Sequence, residues 1–373
     1  MKFKIPVEKI QKAVSITSRI CGGNLTLPIL NNILIEAKDN NLILKSTNLE
    51  IGIQVKLPLK LEKEGIISIP AKILNDFLLV LDKKENIEAE EKNNILILKS
   101  KNYTTKIKGE NPEDFPILPE IKSGEKIIVP LKNIVDNLSQ IIIIPSSQDT
   151  RIELSGVFFD FKDKKLNLVA TDSIRLGCAN IGLDKSMKKG SFIIPQRGAR
   201  EIISIFSLFD GDIEIVYDTN QVLFQFIPKN IQDFEVGLIT KLIEGEYPNW
   251  EEIIPQEFSC NVTVKKDEIE KAVKVVSLFS SRIQDIKLNF QSSNSRINIS
   301  AESGEVGEGE SIVDAKIQGK GTELVFNWRY LLDGISTIKS SEFFFGVNNS
   351  QSPAILKPIG SDNYFYILMP KTI

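Results

Sequence analysis

The 373-residue sequence contains no histidine. That removes the usual general base, the Ser-His-Asp and Cys-His arrangements, and the commonest metal ligand. Cysteine is scarce: Cys21, Cys178 and Cys260 are far apart, odd in number and form no CxxC pair. Such spacing argues against a disulfide framework or zinc site and fits a reducing compartment, so a cytoplasmic location is expected. No apolar run approaches the roughly 20 residues of a membrane span; Ile141 to Ile144 stops at Pro145. The Met1-Lys2-Phe3-Lys4-Ile5-Pro6 start has no apolar signal core, so neither targeting nor a membrane partner is expected. No GxGxxG or GxxxxGK(S/T) phosphate loop occurs, and Gly304 to Gly309 carries Glu305 and Glu308, which repel phosphate. No cofactor or metal is expected.

What the chain does have is repetition. Leu166 to Gly177 reads as a strand, a Thr171-Asp172-Ser173 turn and a second strand. Leu42 to Gly52 carries the same order around Thr47-Asn48, and Asn48 precedes Asp172 by 124 residues. A weaker third copy runs from Arg296 to Gly307. Helical periodicity places helices at 6–20, 71–81, 130–141, 196–206, 266–279 and 328–337, with a proline read as the helix start at Pro70, Pro130 and Pro195. Their registers agree, with Ile10, Ile134 and Ile269 in one place and Val14, Leu138 and Val273 in the next. Among the strands between them are 29–37, 41–46, 50–57, 154–160, 165–170, 174–179 and 190–194. The expected fold is α+β: three repeated domains over 1–121, 126–252 and 257–373, each with two helices and antiparallel sheet.

Net charge is −3, yet the six helical segments together carry +7 and the remainder −10. Lys72, Lys132 and Arg197 each follow a proline by two residues, and Arg329 follows Asn327 likewise. A first-turn cation opposes the helix macrodipole by about 0.3 to 1 kcal/mol, so four equivalent placements point to an external anion. The competing reading is of basic side chains snorkelling over apolar surface. Six helices about 10 Å wide, edge to edge, enclose a bore of only about 9 Å, whereas twelve leave about 28 Å. A duplex, whose groove depths sum to roughly 16 Å, therefore needs two chains.

Four stretches, in order along this repeat, resemble the bacterial sliding clamps, the beta subunits of DNA polymerase III. They are Thr26-Leu27-Pro28-Ile29-Leu30-Asn31-Asn32, Ala170-Thr171-Asp172-Ser173-Ile174-Arg175-Leu176, Gly245-Glu246-Tyr247-Pro248-Asn249-Trp250 and Ile367 to Ile373. The resemblance implies a head-to-tail homodimer, a six-domain ring around double-stranded DNA. It implies no catalytic step but a processivity role for the DNA polymerase III catalytic subunit, with opening by a clamp loader. It also implies a groove for short peptides from polymerases, loader and repair proteins, walled by Leu154, Thr171, Ile174, Arg175, Leu176, Pro248, Ile253, Ile367, Met369 and Pro370, with Arg175 fixing the peptide backbone.

On the DNA side, Lys72, Arg197 and Gln148 match the family pattern. Asn24 stands where the family commonly has arginine, and Ile152 and Glu153 replace an aromatic pair. Lys9, Lys12, Lys132 and Arg329 complete the DNA-facing set. Ser173 and Ile174 replace the family's common Gly and His, which makes the groove more apolar. Two rival readings stay open: a repeat scaffold that binds proteins but not DNA, and a carboxylate enzyme using Asp172 with Glu50.

Overall fold

A computed structural model describes the chain except residues 23–25, 122–123, 147–149, 229–233 and 373. Among the described residues there are 23 strands in sheets of five, eight and ten, and six α-helices. The pairings that build the sheets are antiparallel. The helices are α1 (Val7–Thr17), α2 (Ala71–Leu79), α3 (Leu131–Ile141), α4 (Gln196–Phe206), α5 (Lys266–Ser277) and α6 (Trp328–Thr337).

Each helix begins on the residue after a strand. Those strands are Lys2–Pro6, Gly65–Pro70, Glu125–Pro130, Arg175–Pro195, Cys260–Lys265 and Thr322–Asn327. The prolines therefore close strands instead of opening helices, a correction to the sequence reading. Pro6 (φ −58°, ψ 134°) and Pro70 (φ −53°, ψ 116°) are extended N-cap residues. Proline suits that junction because it has no N–H to offer the ladder and its φ already fits the helix entry. The matched helix positions all face the core: Ile10, Val14, Ile134, Leu138, Ile269 and Val273 are at most 5% exposed. Burial of each aliphatic side chain stabilises the fold by about 1.5 to 3 kcal/mol.

The middle of the chain holds two long strands where four short ones were expected. Gly156–Thr171 and Arg175–Pro195 form one hairpin, with register irregularities on either side of Asp163. The charged stretch near Lys162 to Lys165 reads as a break, but bulges let the ladder run through it.

Two compact units result. One comprises Met1–Val135 with Arg200–Leu242, and the other Asp136–Ala199 with Ile243–Ile373. In the first, strand Glu235–Lys241 pairs with Ile51–Pro58. In the second, Arg175–Pro195 pairs with Tyr364–Leu368. The middle third is thus divided, because its strands complete sheets begun by the first and last thirds.

The repeated turn is reproduced bond for bond. Thr47 Oγ1 donates to the Ile51 carbonyl (3.0 Å) and Asn48 Oδ1 accepts from the Glu50 and Ile51 amides (3.0 and 2.7 Å). Thr171 Oγ1 donates to the Arg175 carbonyl (2.8 Å) and Asp172 Oδ1 accepts from the Ile174 and Arg175 amides (3.1 and 3.0 Å). The residue between is left-handed in both, Leu49 at φ 74° and Ser173 at φ 75°. The third copy departs: its hairpin turns later, with Gly307 at φ 116° and the Val306 amide bonded to the Ser303 carbonyl.

Candidate functional site

The second repeated turn forms one wall of a groove of about 450 Å³ in the second unit. Its lining includes Thr171, Ser173, Ile174, Arg175, Leu176, Ile253, Ile367 and Met369. Leu176 and Ile367 belong to a core cluster with Leu154, Tyr247 and Trp250, so the groove floor is fixed by packing. Ile174 and Ile253, 46% and 47% exposed, stand at the rim. The Met369 amide donates to the Ile174 carbonyl at 2.9 Å, continuing the register in which Arg175 faces Leu368. An apolar floor, two exposed isoleucines and a flexible methionine suit an extended apolar peptide.

The structure brings seven of the ten expected wall residues into the lining. The other three lie elsewhere: Leu154 is in the core beneath, 1% exposed, Pro248 is exposed and Pro370 is buried. Ile367 and Leu368 are both buried, at 2% and 0%, since the strand is covered on both faces. Sequence reasoning missed Glu252, Ile254, Pro255, Gln256, Glu257, Asn348, Ser352 and Pro353. A second internal repeat carries part of that signal: Gly109, Glu110, Pro112, Ile117 and Pro119 match Gly245, Glu246, Pro248, Ile253 and Pro255 in spacing. The first connector likewise lines a groove of about 590 Å³ within the first unit, with Leu118 over Gly52.

Arg175 does not stand ready for a ligand. Its side chain is 8% exposed and its Nε donates to Asp172 Oδ2 at 2.8 Å. Nη1 donates to Asp333 Oδ2 on α6, and Nη2 to the Ile143 carbonyl at 3.1 Å. The guanidinium also lies 4.2 Å from the centre of the Tyr330 ring. Burial disfavours its charge, but Tyr366, Asp333 and Asp172 outweigh this and raise its pKa. Burial also raises the Tyr366 pKa and keeps that hydroxyl neutral, so the two carboxylates carry the effect. The expected contact between Arg175 and a peptide backbone is thus replaced by bonds within the chain. Asp172 has both oxygens engaged, by two amides and by Arg175, which leaves it no acid or base role with Glu50.

The expected DNA-facing residues are more scattered. Lys72, Lys132, Arg197 and Arg329 are exposed in the first turns of α2, α3, α4 and α6, and Lys9 is exposed on α1. Lys72 pairs with Asp76 at 2.7 Å, which raises its pKa. Arg329 lies 4.7 Å from the centre of the Trp328 ring. Lys12 is half-buried over the Phe209 and Phe234 rings, at 4.1 and 5.3 Å, as the snorkelling reading foresaw. Ile152 is 66% exposed and Glu153 half-buried in a short 3₁₀ turn, Ile152–Ser155. Asn24 and Gln148 lie outside the described residues. Among the described residues, no group of three or more His, Cys, Asp or Glu side chains is placed to hold a metal ion, and no helix is long and apolar enough to cross a membrane.

A six-helix, three-sheet chain with a repeated turn and an apolar groove is the class of protein that the comparisons then specify. Three family models match in series: the N-terminal domain of the DNA polymerase III beta subunit at residues 1–119, its central domain at 128–249 and its C-terminal domain at 251–372. The chain belongs to the DNA polymerase III beta subunit family. It is 26% identical over 377 residues to the beta sliding clamp of Synechococcus elongatus and 27% identical over 383 residues to that of Staphylococcus epidermidis, covering 99% of each chain in both cases. It superposes on the sliding clamp of Bartonella birtlesii bound to griselimycin with a TM-score of 0.92 at 25% identity, covering 100% of both chains. The clamp of Pseudomonas aeruginosa bound to griselimycin gives a TM-score of 0.93 at 23% identity over the same coverage, a likeness of fold.

Proposed function

We propose that the chain works as the sliding clamp of DNA replication, two copies closing head to tail into a ring around duplex DNA. The observation that carries this reading is the full-length series of three beta-subunit domains. The repeat domains are drawn at 1–121, 126–252 and 257–373. Exposed cations in the first turns of α2, α3, α4 and α6 supply phosphate contacts that are independent of base sequence and fall with salt. A ring needs no tighter hold, since the link is topological. The reading assigns no catalytic step. The polymerase gains processivity because a tethered enzyme rebinds the primer end at high effective concentration.

Two unpaired edges support the head-to-tail contact. Strand Thr104–Lys108 pairs on one side only, with Ile95–Lys99, and displays Lys106 and Lys108. Residues Gly307 to Asp314 pair with Arg296–Ser303, while Cys260–Lys265 reaches only the later part of that strand; Glu308, Glu310 and Asp314 are exposed there. A basic edge from one copy meeting an acidic edge of another is complementary in charge and hydrogen bonding. The groove then serves peptides of the catalytic subunit, the loader, other polymerases and repair proteins, and takes griselimycin. Such a replication protein works in the cytoplasm.

Gel filtration of the purified chain should give a mass near twice 41.8 kDa. Clamp loaded on closed plasmid circles should stay bound and should run off after the circle is linearised. A monomer, or equal retention on both forms, overturns the ring.

A further inference from the structure

Resting on the groove reading, we infer that Arg175 is a positioning residue: it docks the groove wall onto α6 and touches no peptide. The internal repeat supplies the control. Asn48 builds the same turn as Asp172, but the residue three places on is Ile51 in the first copy and Arg175 in the second. The Thr-Asx turn therefore forms without an arginine, and Arg175 must act on something else. Its guanidinium joins three segments: the turn through Asp172, the segment after α3 through the Ile143 carbonyl, and α6 through Asp333 and the Tyr330 face. Tyr366, on the strand that also supplies Ile367 to the groove, donates its hydroxyl to the Tyr330 carbonyl at 2.8 Å.

Ile174, beside Arg175, is the exposed rim residue, and its carbonyl holds the Met369 amide. The arginine thus fixes where the rim stands relative to the C-terminal strand. A planar fork with several donors suits this bracket, whereas lysine is a point charge and meets fewer partners at once.

The test is the double variant Asp172→Asn/Arg175→Ile, which installs the Asn48 and Ile51 pair of the first copy and so preserves a turn this chain already makes. Griselimycin affinity by calorimetry should fall at least about tenfold, while amide exchange at Ile174 stays slow and exchange at Met369 accelerates. Asp333→Asn, at a side chain 41% exposed and therefore expected to fold, should shift both readouts in the same direction. Arg175→Lys should recover part of the loss.

Wild-type affinity with unchanged exchange in the double variant overturns the proposal. So does a loss confined to the arginine variants, with Asp333→Asn and Met369 exchange unaffected, since that marks direct ligand contact. If the unaltered protein takes no griselimycin, the groove reading fails, and the Met369 exchange comparison still decides the role of Arg175.

Discussion

Lys72 Nζ lies 2.7 Å from Asp76 Oδ2, one helical turn further along α2. The lysine side chain is 90% exposed, so water and salt screen the pair, and a phosphate can displace the carboxylate. Asp76→Ala should leave the thermal midpoint nearly unchanged and let clamp stay on circular DNA to higher salt. Lys72→Glu should do the reverse, lowering the log–log salt slope of binding by about 0.9 for the lost phosphate contact. Filter binding across a salt series reads both.

Self-association should depend on apolar side chains left exposed on single helices. Leu278 and Val275 at the end of α5 are 71% and 47% exposed, and Val80 and Leu79 at the end of α2 are 78% and 55% exposed. We expect Leu278→Asp and Val80→Asp each to shift the species in solution toward 41.8 kDa with secondary structure intact. Sedimentation velocity and circular dichroism on the same samples check this; an unchanged dimer in both variants excludes these patches from the contact.

Gly334 lies inside α6 against Tyr366. A Cβ there would stand 2.4 Å from the tyrosine Cδ1. Alanine favours a helix over glycine by about 1 kcal/mol, but overpacking costs about 1 to 3 kcal/mol. Tyr366 has no room to move, being fully buried with its hydroxyl bonded to the Tyr330 carbonyl. Gly334→Ala should therefore lower the thermal midpoint, and a rise would show that packing gives way there.

Burial pushes the Cys21 thiol up from 9.0 to about 12, with a hydrogen bond to Ser46 opposing it. Below pH 9 the thiol is neutral in folded and unfolded chains alike. Between about 9 and 12 the unfolded chain loses the proton first, so this group makes stability fall as pH rises, by at most about 4 kcal/mol. Thermal melts from pH 8 to 11 should steepen in loss for the wild type relative to Cys21→Ala. At pH 8 the native thiol should also resist alkylation by iodoacetamide, read by mass spectrometry.

The parts of the site legible in the sequence were those built from neighbours. Thr171, Asp172 and Arg175 form their turn within five residues, and an earlier copy advertised it. Ile367 and Met369 came through resemblance to a family and fell in the lining. Asn348, Ser352 and Pro353 reach the groove from a distant loop, and no local pattern marks that approach. Arg175 was read as a ligand contact because its partners, Ile143 and Asp333, are 32 and 158 residues away.

By itself the sequence determined the periodic features: helix faces, strand alternation, the Thr-Asx turn and its repetition. Each of these follows from hydrogen bonds and side-chain directions within a few residues. Only the tertiary structure decided how the middle third is shared between two sheets, which charges point to solvent and which, like Lys12 and Arg175, are taken up by neighbouring rings and carboxylates. Those outcomes depend on which strand edges meet and what then lies across them, and contacts between remote segments leave no period in the chain to read.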